Sequence, residues 1–358
     1  MFTTLIAFAA IALQQQPAQL TEAQKKETIE ALITALNETY VFEELAKQAE
    51  AAVRAALAAG AYNEITSGAA FATKLSSDVN AILKDAHFSM RYSAEVRPRR
   101  EDRREPSPAE IEADRKFTVR MNAGFEKVER LPGNIGYLEV MGFFDPEQFA
   151  VRCAAAFDFL ATTDALILDL RRNGGGDPES VRILCSYLFG EKPVHLNSLY
   201  FRARNETTEF WTLETLPGKR YGAERPVFVL TSKRTGSGAE ECSYNIQTQK
   251  RGLTVGESTW GGANPGGVVR LNDHFAAFIP SGRAINPITK TNWEGTGVKP
   301  DVECPSADAL VRAQILAIEE VMKTADEEWR TELVRVLGDL KGDREGVIQL
   351  LRSVSSEV

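Results

Sequence analysis

Two strand-turn-helix stretches constrain this chain most. The first is Asp164-Ala165-Leu166-Ile167-Leu168-Asp169-Leu170, which runs into Arg171-Arg172-Asn173-Gly174-Gly175-Gly176-Asp177 and then a helix over Pro178–Leu188. The second is Pro226-Val227-Phe228-Val229-Leu230-Thr231, which turns through Thr235-Gly236-Ser237-Gly238 into a helix over Ser237–Gln249. Apolar runs without polar alternation suit strands covered on both faces. Two such runs, each ending in a glycine-containing turn and a helix, require an α/β core. Ile135–Val140 supplies a further strand, Pro146–Leu160 a helix and Leu253–Gly256 a short strand, while 259–300 reads as strands and loops. The polar insertion 195–222 suits a hairpin with arms near Leu199–Arg204 and Glu209–Leu213.

The flanks read differently. Thr21-x-x-Gln24 is a capping box, and Ile29, Leu32, Ile33, Leu36 and Tyr40 behind it keep one helical face. Further helices are expected over Phe42–Leu57 and Ala69–Leu83, with Gly60-Ala61-Tyr62-Asn63 as a break, and a short strand near Lys84–Tyr92. Residues 97–116 mix Arg97, Arg99, Arg100, Arg103 and Arg104 with acidic residues and three prolines, the pattern of a solvated linker. Residues 307–358 carry two helical stripes, Leu310/Ile315/Ile318/Val321/Met322 and Leu333/Val334/Val336/Leu337/Leu340, which suit docking on a core. The expected division is a signal peptide at 1–18, a helical module at 19–96, a charged linker at 97–116, an α/β domain at 117–306 and a helical extension at 307–358.

Composition narrows the function. The net charge of −8 argues against nucleic acid as a partner, because phosphate binding needs clustered Lys and Arg. The apolar run Leu5–Leu13 has the length of a secretory signal, although no basic residue precedes it. Nine residues cannot span a bilayer, which takes about 20, so export without an integral anchor is expected. Cys153, Cys185, Cys242 and Cys304 form no CxxC pair and no metal-ligand spacing, so no metal or other cofactor is expected.

Three places can carry chemistry. Ser237 sits where a buried strand turns into a helix. There the helix dipole favours an incipient alkoxide, and the orphan N–H of Gly238 can face an oxyanion. The same residues also form an S-x-x-E capping box with Glu240, and on local pattern alone a plain helix cap is the commoner explanation. The glycine run Gly174-Gly175-Gly176 lets a backbone approach a ligand and could supply a second N–H. It lacks the G-x-x-x-x-G-K-[ST] pattern of a phosphate loop. His87 is one of three histidines, and Glu294 lies in a glycine-flanked loop. A nucleophilic serine needs a base and a carboxylate to orient it.

The ordered set D-x-x-x-N-G-G-G, T-S-x-x-T-x-S-x-A-E, V-G-E-x-T-x-G-G and N-W-E-G-x-G-V-x-P-D resembles the S41 peptidase family across about residues 20–310. That family includes tail-specific processing proteases, the tricorn core protease and the interphotoreceptor retinoid-binding protein repeats. The resemblance implies a crotonase-like fold and serine peptidase chemistry in an exported protein. Gly262 stands where tail-specific members place a lysine base, so the implied machinery is the tricorn-like one: Ser237 as nucleophile, His87 as base and Glu294 as its support. Gly238 and Gly175 would form the oxyanion hole, and Gly174, Gly176 and Gly262 would line the substrate site. Ala86 stands where the tricorn protease has a serine. The implied partner is a peptide or protein substrate, with homo-oligomerisation left open. The competing reading is an inactive retinoid-binding-like module for an apolar ligand, and a third is a scaffold that uses the C-terminal helices.

Overall fold

The first helix starts where the sequence says it should. Thr21 and Gln24 form the reciprocal capping box, and α1 runs Glu22–Thr39. It packs with α2 (Glu43–Ala58) and α3 (Gly68–Leu83) around Leu32, Leu36, Val53, Phe71, Leu75 and Val79, all nearly inaccessible to solvent. The computed structural model describes residues 19–96 and 107–342; the signal-like segment 1–18, the arginine-rich stretch 97–106 and everything beyond 342 lie outside the described residues.

β1 (Ser89–Tyr92) follows α3. It pairs with β10 (Phe275–Pro280), which pairs with β9 (Gly266–Arg270), in a three-stranded antiparallel sheet. Met90, Phe275, Ala277 and Ile279 on one face of this sheet join the core under α1–α3. The other face carries Ser89, Arg91, Ala276, Phe278 and Val268, as the register dictates.

The segment expected to be all linker folds in part. Ser107 and Glu110 make a second capping box with Pro108 behind it, and α4 spans Pro108–Arg120. An S-P-x-E start of this kind outweighs the local charge density.

The central sheet has six strands: β2 (Phe125–Leu131), β3 (Ile135–Val140), β4 (Ala165–Asp169), β7 (Val227–Thr231), β8 (Leu253–Gly256) and β12 (Val302–Glu303), in the order β12-β8-β7-β4-β3-β2. All neighbours run parallel except the β2–β3 pair at the edge. Side chains alternate between two buried faces. Leu166, Leu168, Val227 and Val229 meet α5 (Pro146–Phe159), α6 (Pro178–Leu188) and α7 (Gly238–Thr248). Ala165, Ile167, Phe228 and Leu230 meet α8 (Ala309–Val321) and α9 (Glu327–Lys341). The apolar stripes of the tail therefore dock on the sheet. Cys153, Cys185 and Cys242 are buried free thiols in the first of these two cores.

The expected hairpin is present with shifted arms. β5 (His195–Phe201) and β6 (Glu206–Trp211) pair around Asn205, which takes the left-handed conformation at φ 50°, and β11 (Gly282–Ile285) adds a third strand. No helix among the described residues is long and apolar enough to cross a membrane.

Covering the second sheet face is an energetic necessity, which α8 tests. Ile318 is fully buried there, so Ile318→Ala should cost about 2–5 kcal/mol in denaturant unfolding. Val311 on the same helix is 44% exposed, and Val311→Ala should stay within about 0.5 kcal/mol.

Candidate active site

β4 and β7 are parallel neighbours, so the turns that leave their carboxyl ends meet. Thr235 Oγ1 donates to the Leu170 carbonyl at 2.9 Å, Ser232 Oγ to the Arg171 carbonyl at 2.6 Å and the Gly236 N–H to the Asn173 carbonyl at 3.0 Å. Gly175 sits at φ +107°. A methyl group there would lie 2.7 Å from the Gly238 nitrogen and 2.8 Å from Ser237 Cβ. Glycine is required at that contact.

Ser237 adopts φ 50°, ψ −119°. The ordinary N-caps of this chain, Thr21, Ser67 and Ser107, are all extended at negative φ. Positive φ at a non-glycine residue costs on the order of 1–3 kcal/mol and persists only where the surroundings enforce it. The Ser237 N–H donates to Glu240 Oε2 at 2.8 Å and the Ser237 side chain faces the Glu240 N–H, so both halves of the expected capping box are in place. The residue is nonetheless partly exposed. Cap chemistry therefore accounts for the pairing of Ser237 with Glu240 but not for the backbone conformation of the serine.

Glu240 is completely buried. Besides Ser237 its carboxylate accepts from Thr259 Oγ1, from Gly261 N–H at 2.6 Å and from Gly262 N–H at 2.9 Å. Burial pushes its pKa up, against the pull of these donors. The Ser237 turn is thereby fixed to residues 259–262.

Glu294 holds the same loop from the other side. Its Oε1 accepts from the Ala86 N–H at 2.8 Å, and its Oε2 from Ala263 N–H at 2.6 Å and Asn264 N–H at 3.1 Å. Asp85, 1% exposed, accepts from the His87 N–H at 3.1 Å, from Tyr40 Oη at 3.2 Å and from Asn264 Nδ2 at 2.9 Å. Donor atoms of Asp85, His87 and Glu294 all lie within 4.8 Å of one another. Each of the four carboxylate oxygens already accepts a hydrogen bond, whereas the buried His87 Nδ1 has no partner. The vacant interaction in this group is therefore one between imidazole and carboxylate. Burial lowers the His87 pKa, partly offset by Asp85. Burial, reinforced by the charge of Asp85, raises Glu294 to about 7.

The structure thus brings His87 and Glu294 together, with Asp85 as a second carboxylate. Ser237 and His87 do not hydrogen-bond to each other. The Trp260 indole extends from the Gly236 backbone to the imidazole, edge-on at 4.9 Å between ring centroids. Gly238 stands at the start of α7, beside Ser237. The Gly175 N–H is engaged by Asn173 Oδ1 at 2.8 Å, whereas none of the hydrogen bonds of this loop uses the N–H of Gly174 or Gly176. Gly262 packs where a side chain would strike both Trp260 and His87. Sequence reasoning assigned no role to Asp85, Trp260, Asn173 or Asn264. Asp85 offered a signal as the acid two residues before the histidine, and Asn173 as the Asn of the N-G-G-G motif.

A model described as peptidase family S41 matches residues 134–304, and one for the N-terminal domain of peptidase S41 in eukaryotic IRBP matches residues 12–125. The carboxyl-terminal-processing peptidase 2, chloroplastic, of Arabidopsis thaliana is 28% identical over 196 residues, which span 53% of this chain and 36% of that protein's length. A crystal structure of a Parabacteroides merdae protein aligns over 83% of this chain and 96% of its own at TM-score 0.55 and 17% identity. A Streptococcus agalactiae lipoprotein aligns over 84% and 98% at TM-score 0.53 and 14% identity. The likeness to these two structures is one of fold.

The tight contact between the two turns is directly testable. Gly175→Ala should destabilise by about 1–3 kcal/mol through overpacking and strain. Gly174→Ala, whose methyl group meets nothing within 4 Å, should leave the unfolding midpoint almost unchanged.

Proposed function

Because the chain belongs to peptidase family S41, we propose that it is a serine peptidase that uses Ser237, His87 and Glu294. The α/β domain 117–306, with a crotonase-like core, supplies nucleophile and oxyanion donors. The helical module 19–96 supplies the base. The observation that carries the reading is the backbone of Ser237, held at positive φ with the side chain partly exposed at a helix N-terminus.

In this mechanism Ser237 Oγ attacks the peptide carbonyl. His87 takes the hydroxyl proton and returns it to the leaving amine. Trp260, 47% exposed, swings aside so that the imidazole reaches the hydroxyl. Glu294 and Asp85 support the imidazolium as it forms. The Gly238 N–H and a second from the 174–176 loop receive the oxyanion. Gly176 is the ready candidate, since Gly175 must first release Asn173. Losing one such donor typically costs about 10²–10³ in rate. Substrate is a peptide or protein in the compartment to which the chain is exported.

The rival reading, an apolar-ligand binder without chemistry, draws on the apolar cleft beside His87. It leaves the strain at Ser237 without a use. A fluorophosphonate probe separates the two. The wild type should label and Ser237→Ala should not. Ser237→Ala should also lower peptide hydrolysis by about 10⁴-fold or more while its melting curve stays in place. Hydrolysis retained by that variant would remove Ser237 from the mechanism.

The pH profile has a defined sign. The acid limb of kcat/KM should rise with a midpoint near 7, set by the Asp85–Glu294 pair as Glu294 ionises, because His87 itself titrates below 6.5. Asp85→Asn removes the like charge that raises Glu294, so the limb should move to lower pH. A limb that stays put in this variant would detach it from the pair.

A further inference from the structure

We propose that Cys185 and Cys242 become a disulfide as the chain folds in the compartment to which it is exported, and that this bond staples α6 to α7 behind the serine turn. The inference stands independently of the peptidase reading.

The two sulfurs lie 3.8 Å apart, in contact but unbonded, and come from positions 57 residues apart in the sequence. Both side chains are fully buried. Their meeting follows from the topology. α6 and α7 come after the parallel neighbours β4 and β7, so they run side by side in one direction. A methyl group on Gly238 would lie 3.3 Å from Val181 Cγ2. Val181 and Gly238 each stand about one helical turn before Cys185 and Cys242. The helices therefore touch on successive turns, and the glycine at the first contact lets their backbones come close. A disulfide needs that closeness, since its Cα atoms stand about 4.4–6.8 Å apart. Bringing the sulfurs to a bonded separation of about 2.05 Å asks for a shift of about 1.8 Å shared by two side chains.

The other cysteines compete poorly. Cys153 lies in the same core on α5, and Cys304 packs on the opposite face of the sheet. No other two sulfurs among the described residues are in contact.

The step is a two-electron oxidation by thiol–disulfide exchange. One cysteine thiolate attacks the disulfide of a dithiol oxidant in the exporting compartment, and one oxidant sulfur leaves as thiolate. The second cysteine then attacks the protein sulfur of this mixed disulfide. The Cys185–Cys242 bond forms, and the oxidant departs as a dithiol with both electrons and both protons. Exchange needs thiolate. In the folded core the contact with Cys185, and then burial, push the Cys242 thiol well above its ordinary range. The bond is therefore made while the chain folds, and the closed core afterwards keeps reductants away from it. α6 follows the Gly174–Gly176 loop and α7 starts just after Ser237, so the staple fixes the helices behind both turns.

The test produces the full chain in a bacterial periplasm and, for comparison, in the cytosol, where thiols stay reduced. Denatured without reductant, the periplasmic protein should show two titratable thiols and the cytosolic protein all four. The intact mass of the periplasmic form should be lower by about 2 Da, the two hydrogens lost. A non-reducing digest should join the peptides that hold Cys185 and Cys242. Closing a loop of this length should raise the melting temperature of the periplasmic form by about 5 °C over the cytosolic one. Cys185→Ala and Cys242→Ala should each abolish the mass and melting differences, and Cys304→Ala should keep both. Where a variant fails to fold, the wild-type mass and digest carry the test. Four free thiols in the periplasmic protein, or a digest that joins any other pair, overturns the inference.

Discussion

Residues 259–264 are held between one buried carboxylate and one half-buried one, and the rest of the site depends on that clamp. Glu240 grips Thr259, Gly261 and Gly262 from the α7 side, and Glu294 grips Ala263 and Asn264 from its own loop. Glu240 also holds the Ser237 N–H, and Glu294 also holds the Ala86 N–H. One short segment thereby ties the serine turn to the histidine turn. Uncompensated burial of either charge would cost several kcal/mol, so the N–H groups are a condition of the fold as well as of the site.

The parallel sheet explains why the clamp is needed. Adjacent β4 and β7 bring two turns together at their carboxyl ends, the usual crevice of an open α/β sheet. That geometry positions a nucleophile and backbone donors, and the histidine comes from elsewhere. His87 lies at the end of a helical module joined to the rest of the chain by, among other contacts, the β1–β10 pair and the Glu294–Ala86 and Asp85–Asn264 hydrogen bonds. The base is therefore as well placed as these links are firm. Trp260, attached to the same clamp through Gly261, stands at the junction of the two halves.

The sequence was legible where the signal was local. The apolar runs of β4 and β7, the Thr21 box of α1 and the stripes of α8 and α9 each follow from spacing, and each formed. Ser237 shows the limit of such reading. S-x-x-E marks a cap, yet the Glu240 carboxylate spends three of its hydrogen bonds on residues about twenty positions away. A pattern confined to one helix turn cannot carry that information. Trp260 and Asn264 were missed for the same reason, since their partners are remote in sequence. Gly175 was singled out for approach to a ligand; its close contact is with Ser237 and Gly238, and its N–H is engaged by Asn173, two residues before it. The start of α4 was legible in Ser107-Pro108 and was outweighed by the surrounding charge.

The electrostatics of the histidine turn follow from the same crowding. Trp260 and Phe278 remove water from the imidazole, which disfavours the cation, and the two carboxylates behind it also disfavour each other. Burial thus favours the neutral ring, while burial and the Asp85 charge raise Glu294 to about 7. When the ring takes a proton, the charge it acquires has a buried counter-charge already in place and aligned by fixed N–H groups. In a low-dielectric site such a pair is stabilised without solvent rearrangement. Burial first, and the charge of Asp85 second, make Glu294 titratable near 7, so the packing that orders the site also sets the pH at which its base is supported.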